Sequence, residues 1–179
     1  TMELNRITSH LLWFGTFLLD LGATSPFFYA FRDREAIFNL FESITGARMM
    51  YKYYRFGGVN ADAPPGWLDE VRSVIDELPH RFDEYEAIAN KNPIVMDRTI
   101  GVGMMDKDLC MKYGVTGPAL RAAGVAVDLR KTAPYSCYDE IDFNVPVETQ
   151  GDTYARYKVR MAEIRESLKI IRQALDQIP

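Results

Sequence analysis

The chain has 179 residues, a length that suits one domain with a core of its own. Its composition, 47% hydrophobic and 26% charged, is typical of a globular protein, and its net charge of -4 argues against a nucleic-acid-binding protein, which normally presents a basic face. Two cysteines without a CxxC pair and two histidines without a metal-binding spacing exclude the common zinc and iron–sulfur sites, so we expect this chain to hold no metal. Free thiols are favoured at Cys110 and Cys137, although the sequence leaves a disulfide open.

The first half of the chain predicts three long helices and one short one. Residues 3–22 are apolar on nearly all sides, which indicates a helix buried all round, and the apolar run within it is too short for a membrane span. After the break at Ser25-Pro26, a second helix is predicted from about Phe27 to Thr45, ended by Gly46. A short helix over 47–54 and a loop over 57–65 follow. Trp67 opens a third helix, which we expect to kink or restart at Pro79 because proline has no backbone N–H.

The second half predicts shorter elements and one long helix. After a turn at Asn92-Pro93, short helices are predicted over 106–113 and 116–123, and residues 125–138 read as a loop. Residues 141–147 alternate enough for an edge strand. Asp152 should cap a final helix, whose apolar positions step by four and three residues: Tyr157, Met161, Ile164, Leu168, Ile171 and Leu175. The expected fold is mainly α, a helical bundle with a long C-terminal helix and one small β element, forming a single domain over residues 1–179.

Asp20 is the most interesting single residue, because it follows two leucines in a helix that we expect to be buried. Burial would raise the pKa of an unpaired carboxylate, and such groups are candidates for proton transfer. The alternative is a structural aspartate that pairs with an arginine or faces water at the helix end.

Basic and aromatic residues form two further candidate sets. Arg48, Arg55, Arg121, Arg130 and Lys131 lie in or beside glycine-containing turns, where they would either bind an anionic surface or another protein chain, or simply form salt bridges. The tyrosines Tyr51, Tyr53, Tyr54, Tyr135 and Tyr138 suit an interface as well as a ligand site, since each has an apolar ring and a polar hydroxyl. Nothing in the chain matches a nucleotide-binding glycine loop, so NADH binding is not expected.

Whole segments of the chain resemble one family. The strings ELNRITSHLLWFGTFLLDLGA (3–23), TGARMMYKYYRFGGV (45–59), LPHRFDEYE (78–86) and GVTGPALRAAGVAVDLRKTAPYSCYDEIDFNVP (114–146) follow in family order. They are similar to the quinone-site (D-type) subunit of bacterial respiratory NADH:quinone oxidoreductase (complex I), a family related to the large subunits of nickel–iron hydrogenases. The resemblance covers essentially the whole chain.

The resemblance implies a function that composition does not. The D-type subunit has lost the hydrogenase metal and forms, with the B-type subunit, the pocket where quinone takes electrons from the terminal iron–sulfur cluster held by that partner. The implied partners are the B-type and C-type subunits, the membrane-arm subunits and quinone, in the peripheral arm on the cytoplasmic side of the bacterial plasma membrane. No cofactor would be bound by this chain itself.

Three residues carry implied roles. Asp20 matches the family's buried aspartate that backs a quinone-binding histidine, which implies a proton relay. Arg48 and Met50 match the stretch that faces the terminal cluster. Many relatives have a histidine at the position of Met50, and because methionine cannot titrate, we expect a cluster potential with a weak pH dependence and a low-potential quinone such as menaquinone.

The family's GPQHPxxHG-type loop and a following tyrosine, which bind the quinone head group, do not occur in this sequence. We therefore expect a central fragment of the D-type subunit that is inactive alone and whose bare surfaces favour self-association. Two alternatives stay open: a fragment of the large subunit of a related membrane-bound nickel–iron hydrogenase, and a purely structural scaffold that docks neighbouring subunits.

Overall fold

The computed structural model describes residues 1–178, and 63% of the chain is helical, which confirms the mainly α prediction. Within those residues the elements are α1 (Met2–Asp20), α2 (Ser25–Thr45), β1 (Tyr54–Arg55), β2 (Gly58–Val59), α3 (Trp67–Asn90), α4 (Pro93–Thr99), α5 (Lys107–Lys112), α6 (Gly117–Ala122), α7 (Leu129–Thr132) and α8 (Thr153–Gln177). The two short strands form one antiparallel hairpin, with Tyr54 opposite Val59. No helix in this described part of the chain has the length and apolar character needed to cross a membrane.

The four long helices α1, α2, α3 and α8 pack around one main hydrophobic core. Helix α1 lies against both α2 and α8, and Gly15 permits a close approach to α2, since a Cβ there would lie 3.3 Å from the Cα of Phe27. All six residues of the predicted α8 seam are buried in the main core. The long C-terminal helix and its packing face were therefore predicted correctly.

Helix ends follow the local sequence. The side chains of Asn92, Asp106, Asp128 and Asp152 each accept a backbone N–H at the start of a helix, as these residue types commonly do. Gly46 ends α2 with φ +74°, a backbone conformation that costs glycine little. The predicted Asp152 and Gly46 caps are confirmed.

Several local predictions are wrong. Residues 47–53 do not form a helix but lead into the hairpin, and α4 and α7 occupy segments predicted as a turn and a loop. Helix α3 runs through Pro79 without a restart, because its long apolar face holds both halves in the core. The predicted strand over 141–147 is absent from the described residues, and its backbone is held by helix side chains instead: Gln173 accepts the N–H of Asp142, and Glu166 accepts that of Asn144.

Helix α1 is not buried all round. Leu12 and Leu19 are each 40% exposed, and Asp20 at its C-terminal end is exposed. One side of α1 thus packs against α2 and α8 while the other faces outward. Both cysteines are free thiols, Cys110 buried and Cys137 exposed.

Candidate functional site

Arg48 and Met50 lie in the segment between α2 and β1, beside a surface groove. We call it the Met50 groove; its apolar wall consists of Leu12, Phe38, Met49 and Met50, and its cationic side chains are Arg34 and Lys52. Met50 is 83% exposed, and its backbone takes the left-handed conformation (φ 59°) that non-glycine residues rarely adopt. The methionine therefore projects outward, where a neighbouring molecule can reach it.

Two arginines are fixed at the groove. Both terminal nitrogens of Arg48 donate to the carboxylate of Glu35, and its guanidinium lies 5.3 Å from the centre of the Phe38 ring. Arg34 donates from Nε to the carbonyl oxygen of Thr8 at 3.0 Å and lies 4.8 Å from the same ring. Cations held over an aromatic ring are pre-oriented, which keeps their charge at the groove. The structure thus brings Arg48 and Met50 together around Phe38.

Asp20 lies elsewhere, and its expected burial is wrong for this chain. It is the last residue of α1 and is exposed, whereas Leu12 is the α1 residue nearest to it that lines the Met50 groove. Eight residues of helix separate the two, about 12 Å along the axis. The described residues therefore do not shield Asp20 from water.

A buried ionic cluster joins the start of α1 to α7. Arg130, 2% exposed, donates to both oxygens of Glu3 at 3.1 Å and to Asp128 at 2.7 Å. Ser167 and Tyr138 also donate to Glu3. Burial alone would raise the pKa of Glu3, but the charge of Arg6, together with these hydrogen-bonded neighbours, outweighs it and holds the pKa below its usual range. In the same way, hydrogen bonds from Arg130 overcome burial and lower the pKa of Asp128.

A second buried cluster joins α1, α6 and α8. Glu163, 1% exposed, accepts Nε of Arg121 at 2.7 Å and lies 2.8 Å from Nε2 of His10. Arg121 also donates to the carbonyl oxygen of Val127 at 2.8 Å. Burial would raise the pKa of Glu163, but the hydrogen bond with His10 and the charge of Arg121 hold it below the usual range.

The two clusters show which interpretation is right for two of the basic residues that lie in or beside glycine-containing turns. Arg121 and Arg130 form internal salt bridges rather than a surface for anions, so the structural interpretation is right for these two. Sequence analysis did not single out His10 or Glu163. The available signal was a histidine directly before the apolar run of α1 that begins at Leu11.

The lowered carboxylate pKa values have a direct consequence for stability. Between the usual and the lowered pKa, the unfolded chain binds more protons than the folded one. The stabilisation from these carboxylates is therefore complete above the usual pKa and is lost as the pH falls through the lowered one.

The described residues thus offer an exposed, largely apolar groove lined by Arg34 and Lys52 and, separately, two buried ion-paired clusters. Within residues 1–178 no group of three or more histidine, cysteine or acidic side chains is placed to hold a metal ion. Chemistry at the Met50 groove would thus depend on what docks there.

Comparison with known proteins identifies similar chains. The family described as respiratory-chain NADH dehydrogenase, 49 Kd subunit, matches residues 20–179. The chain is 54% identical over 178 residues to an H-type subunit of the NAD(P)H-quinone oxidoreductase of Gloeobacter violaceus, covering 99% of this chain and 45% of that protein. It is 52% identical over 178 residues to the chloroplastic H-type subunit of the same enzyme in Staurastrum punctulatum, with the same coverage of 99% and 45%. With a D-type subunit of the NADH-quinone oxidoreductase of Koribacter versatilis it shares 50% identity over 177 residues, 99% of this chain and 44% of that protein.

Proposed function

Because the chain belongs to the 49 kDa subunit family of respiratory-chain NADH dehydrogenase, we propose that it works within a proton-pumping NAD(P)H:quinone oxidoreductase. The chain spans about 45% of the length of the curated relatives that it matches, so the activity is that of a larger assembly. In this proposal it supports electron transfer from the terminal iron–sulfur cluster of a partner subunit to quinone. Within that assembly the chain would lie in the peripheral arm, on the cytoplasmic side of the bacterial plasma membrane. It would contact the B-type and C-type subunits and the membrane arm.

The observation that carries the proposal is the exposure of Met50 beside fixed Arg48. An apolar, polarisable side chain that is 83% exposed is costly to leave in water and suits contact with a neighbouring subunit. Arg48 is paired with the carboxylate of Glu35, whereas Arg34 at the same groove is bonded to the carbonyl oxygen of Thr8, so the positive charge that would favour the reduced, more negative state of a nearby cluster is mainly that of Arg34. These properties agree with the role that the family resemblance assigns to this stretch.

Asp20 enters the proposal with one added requirement. An exposed carboxylate such as Asp20 is removed from water only when something covers it. We expect that cover to come from the quinone-binding part of the assembly, which would desolvate Asp20 from outside while α1 holds its position.

The Met50→His substitution tests the proposal in the assembled complex. A histidine facing the cluster would bind a proton more tightly when the cluster is reduced, so the cluster potential would fall as the pH rises, by at most about 59 mV per pH unit. The parent would show a weak pH dependence because methionine does not titrate. Redox titration followed by electron paramagnetic resonance at pH 6 and pH 8, about the range where histidine titrates, measures both slopes.

Met111→His is the matched control, since Met111 is also exposed (61%) but lies on α5 and does not line the Met50 groove. It should leave the slope of the parent unchanged. Equal slopes in parent and Met50→His would show that this position does not face the cluster, and would remove the observation on which the proposal rests.

The scaffold alternative makes a different prediction from the same structure. If the chain only docks neighbouring subunits, substitutions at Met50 would change the yield of assembled complex but not the potential of the cluster. The hydrogenase alternative is disfavoured, because the relatives named above are quinone oxidoreductase subunits.

A further inference from the structure

We propose that an acidic segment of a neighbouring protein chain docks on the first half of α8, beside two stacked rings of α1. Four residues define this site, which we call the Arg160 surface: Arg156, Arg160, Trp13 and Phe17. The inference rests on the proposed assembly for its partner. It does not depend on the cluster-facing role, because none of the four residues lines the Met50 groove.

Helix α8 contains four arginines, and they fall into two pairs. Arg165 and Arg172 form salt bridges with acidic residues of α3. Arg156 and Arg160 lie one helical turn apart and form no salt bridge within residues 1–178. Burial lowers the pKa of both guanidinium groups, as expected for partly buried cations without a counterion. The described residues therefore leave two neighbouring positive charges uncompensated.

The two carboxylates nearest in the chain are engaged elsewhere. Glu163 is bonded to the arginine of α6 and to the histidine of α1. Asp152 accepts two backbone N–H groups at the start of α8. A counterion for Arg156 and Arg160 must therefore come from another molecule.

Both guanidinium groups are held in a fixed orientation. Arg156 donates to the carbonyl oxygen of Gly151 at 2.9 Å and to the hydroxyl of Thr153 at 2.8 Å. Arg160 lies 4.6 Å from the centre of the Trp13 ring, and its Nη1 donates to the carbonyl oxygen of Arg156 at 3.0 Å. Its Nε and Nη2 make no hydrogen bond within residues 1–178. That edge of the guanidinium can donate two parallel hydrogen bonds to one carboxylate.

The rings beside the arginines favour a protein segment over a free anion. Trp13 and Phe17 are stacked with their ring centres 4.8 Å apart, and both are partly exposed. Aromatic and arginine side chains are enriched at the centres of protein interfaces. A small anion would leave the rings in water, whereas a peptide segment can cover them with apolar side chains while it brings a carboxylate to Arg160.

Charge also disfavours two other classes of partner. Anionic membrane surfaces attract clusters of about four to eight basic residues, and nucleic acids need a basic face. This chain has a net charge of -4, and the Arg160 surface contains two basic residues. Two arginines beside two rings therefore fit an acidic protein segment best.

Carbodiimide cross-linking of the assembled complex tests the proposal. In Arg156→Lys and in Arg160→Lys, a primary amine replaces the guanidinium group, and the carbodiimide joins that amine to an adjacent carboxylate as an amide. Tandem mass spectrometry then identifies both linked peptides. We expect at least one of these variants to be linked to an aspartate or glutamate of another subunit.

Two lysine positions on α8 serve as controls. Lys158 reports whether the reagent reaches this part of the helix, because its Nζ lies 2.7 Å from Glu148 and should be linked to it in every sample. Arg172→Lys is the matched variant, since Arg172 is bonded to Asp76 of the same chain. It should give a link within the chain and none to another subunit.

The dissociation rate of the linked subunit measures the contribution of the charge. Arg160→Gln should raise that rate about tenfold or more, because the loss of one partner of a buried charge pair acts mainly on dissociation. Arg160→Glu should raise it further, since two carboxylates would then face each other. Arg172→Gln, at an arginine whose side chain is 48% exposed, should dissociate as the parent does.

Two results would overturn the proposal. The first is the absence of any link from Arg156→Lys and Arg160→Lys to another subunit, although Lys158 is linked to Glu148. The second is an equal dissociation rate for Arg160→Gln and Arg160→Glu, because a purely structural role does not distinguish a neutral side chain from a negative one. Neither measurement involves the cluster potential, so the Met50→His test can fail while this proposal holds, and the reverse.

Discussion

The buried ion pair between Glu163 and Arg121 should be a main source of stability, and Glu163→Gln tests it. The substitution keeps the size of the side chain but leaves the guanidinium of Arg121, with 6% of its side chain exposed, without its counterion. Removing one partner of a buried pair costs about 3–5 kcal/mol, because the remaining charge stays buried and uncompensated. That loss is a large share of the total free energy of unfolding, which is about 5–15 kcal/mol for a native protein.

Urea denaturation followed by circular dichroism measures the loss. With a slope of about 2 kcal/mol per molar urea, the midpoint should fall by roughly 1.5–2.5 M while the slope stays constant. Glu77→Gln is the control: Glu77 pairs with Arg81 one turn away on α3 and is 65% exposed, so its loss should cost less than about 0.5 kcal/mol.

Two results would refute the reasoning. The first is a loss for Glu163→Gln within about 1 kcal/mol of that for Glu77→Gln, which would mean that the pair is not effectively buried. The second concerns the double variant Arg121→Met with Glu163→Met, which removes both charges together. It should recover most of the loss, and a double variant as unstable as Glu163→Gln would show that shape rather than charge is responsible.

Three further predictions concern other features of the molecule. The free energy of unfolding should fall as the pH drops below about 4.5, where the lowered carboxylate pKa values take effect, and denaturation at pH 7 and pH 4 should show a smaller fall in Glu163→Gln than in the parent. Gly151→Ala should cost about 1–3 kcal/mol more than Gly46→Ala in the same assay. Both glycines have positive φ, but only at Gly151 would the Cβ clash with a backbone atom, the carbonyl oxygen of Met105, so equal losses would contradict the close contact. In the assembled complex, Asp20→Asn should slow quinone reduction while leaving NADH oxidation by an artificial acceptor unchanged, and Asp97→Asn, at another exposed aspartate, should slow neither.

Much of the fold was predictable because its signals are local. The seam of α8 repeats every three or four residues, and Asp152 caps it through an atom three residues from its partner. The predicted strand over 141–147 failed for the opposite reason. Its alternation is real, with Ile141 and Phe143 both buried, but side chains of α8 rather than a second strand accept the backbone N–H groups.

The candidate site, too, could be predicted from the sequence only in part. Sequence resemblance was enough to single out Arg48, Met50 and Asp20. The fold alone decided that Met50 lines a groove together with Phe38, that Arg48 lies over the Phe38 ring, and that Asp20 stands apart, exposed. Local pattern explains the error at Asp20: two preceding leucines make a helix look buried, although one of them, Leu19, is itself 40% exposed.

What the sequence by itself determined is the family, the helical class, and most helix starts and ends, because these depend on residues that are near one another in the chain. The tertiary structure alone decided which charges are internal. Arg130 meets Glu3 across 127 positions and His10 meets Glu163 across 153, whereas Arg55 and Arg48 stay at the surface. An arginine in a glycine-containing turn looks the same in sequence whether it is solvated or buried, since the cost of desolvating it and the carboxylate that offsets this cost exist only once distant segments have packed.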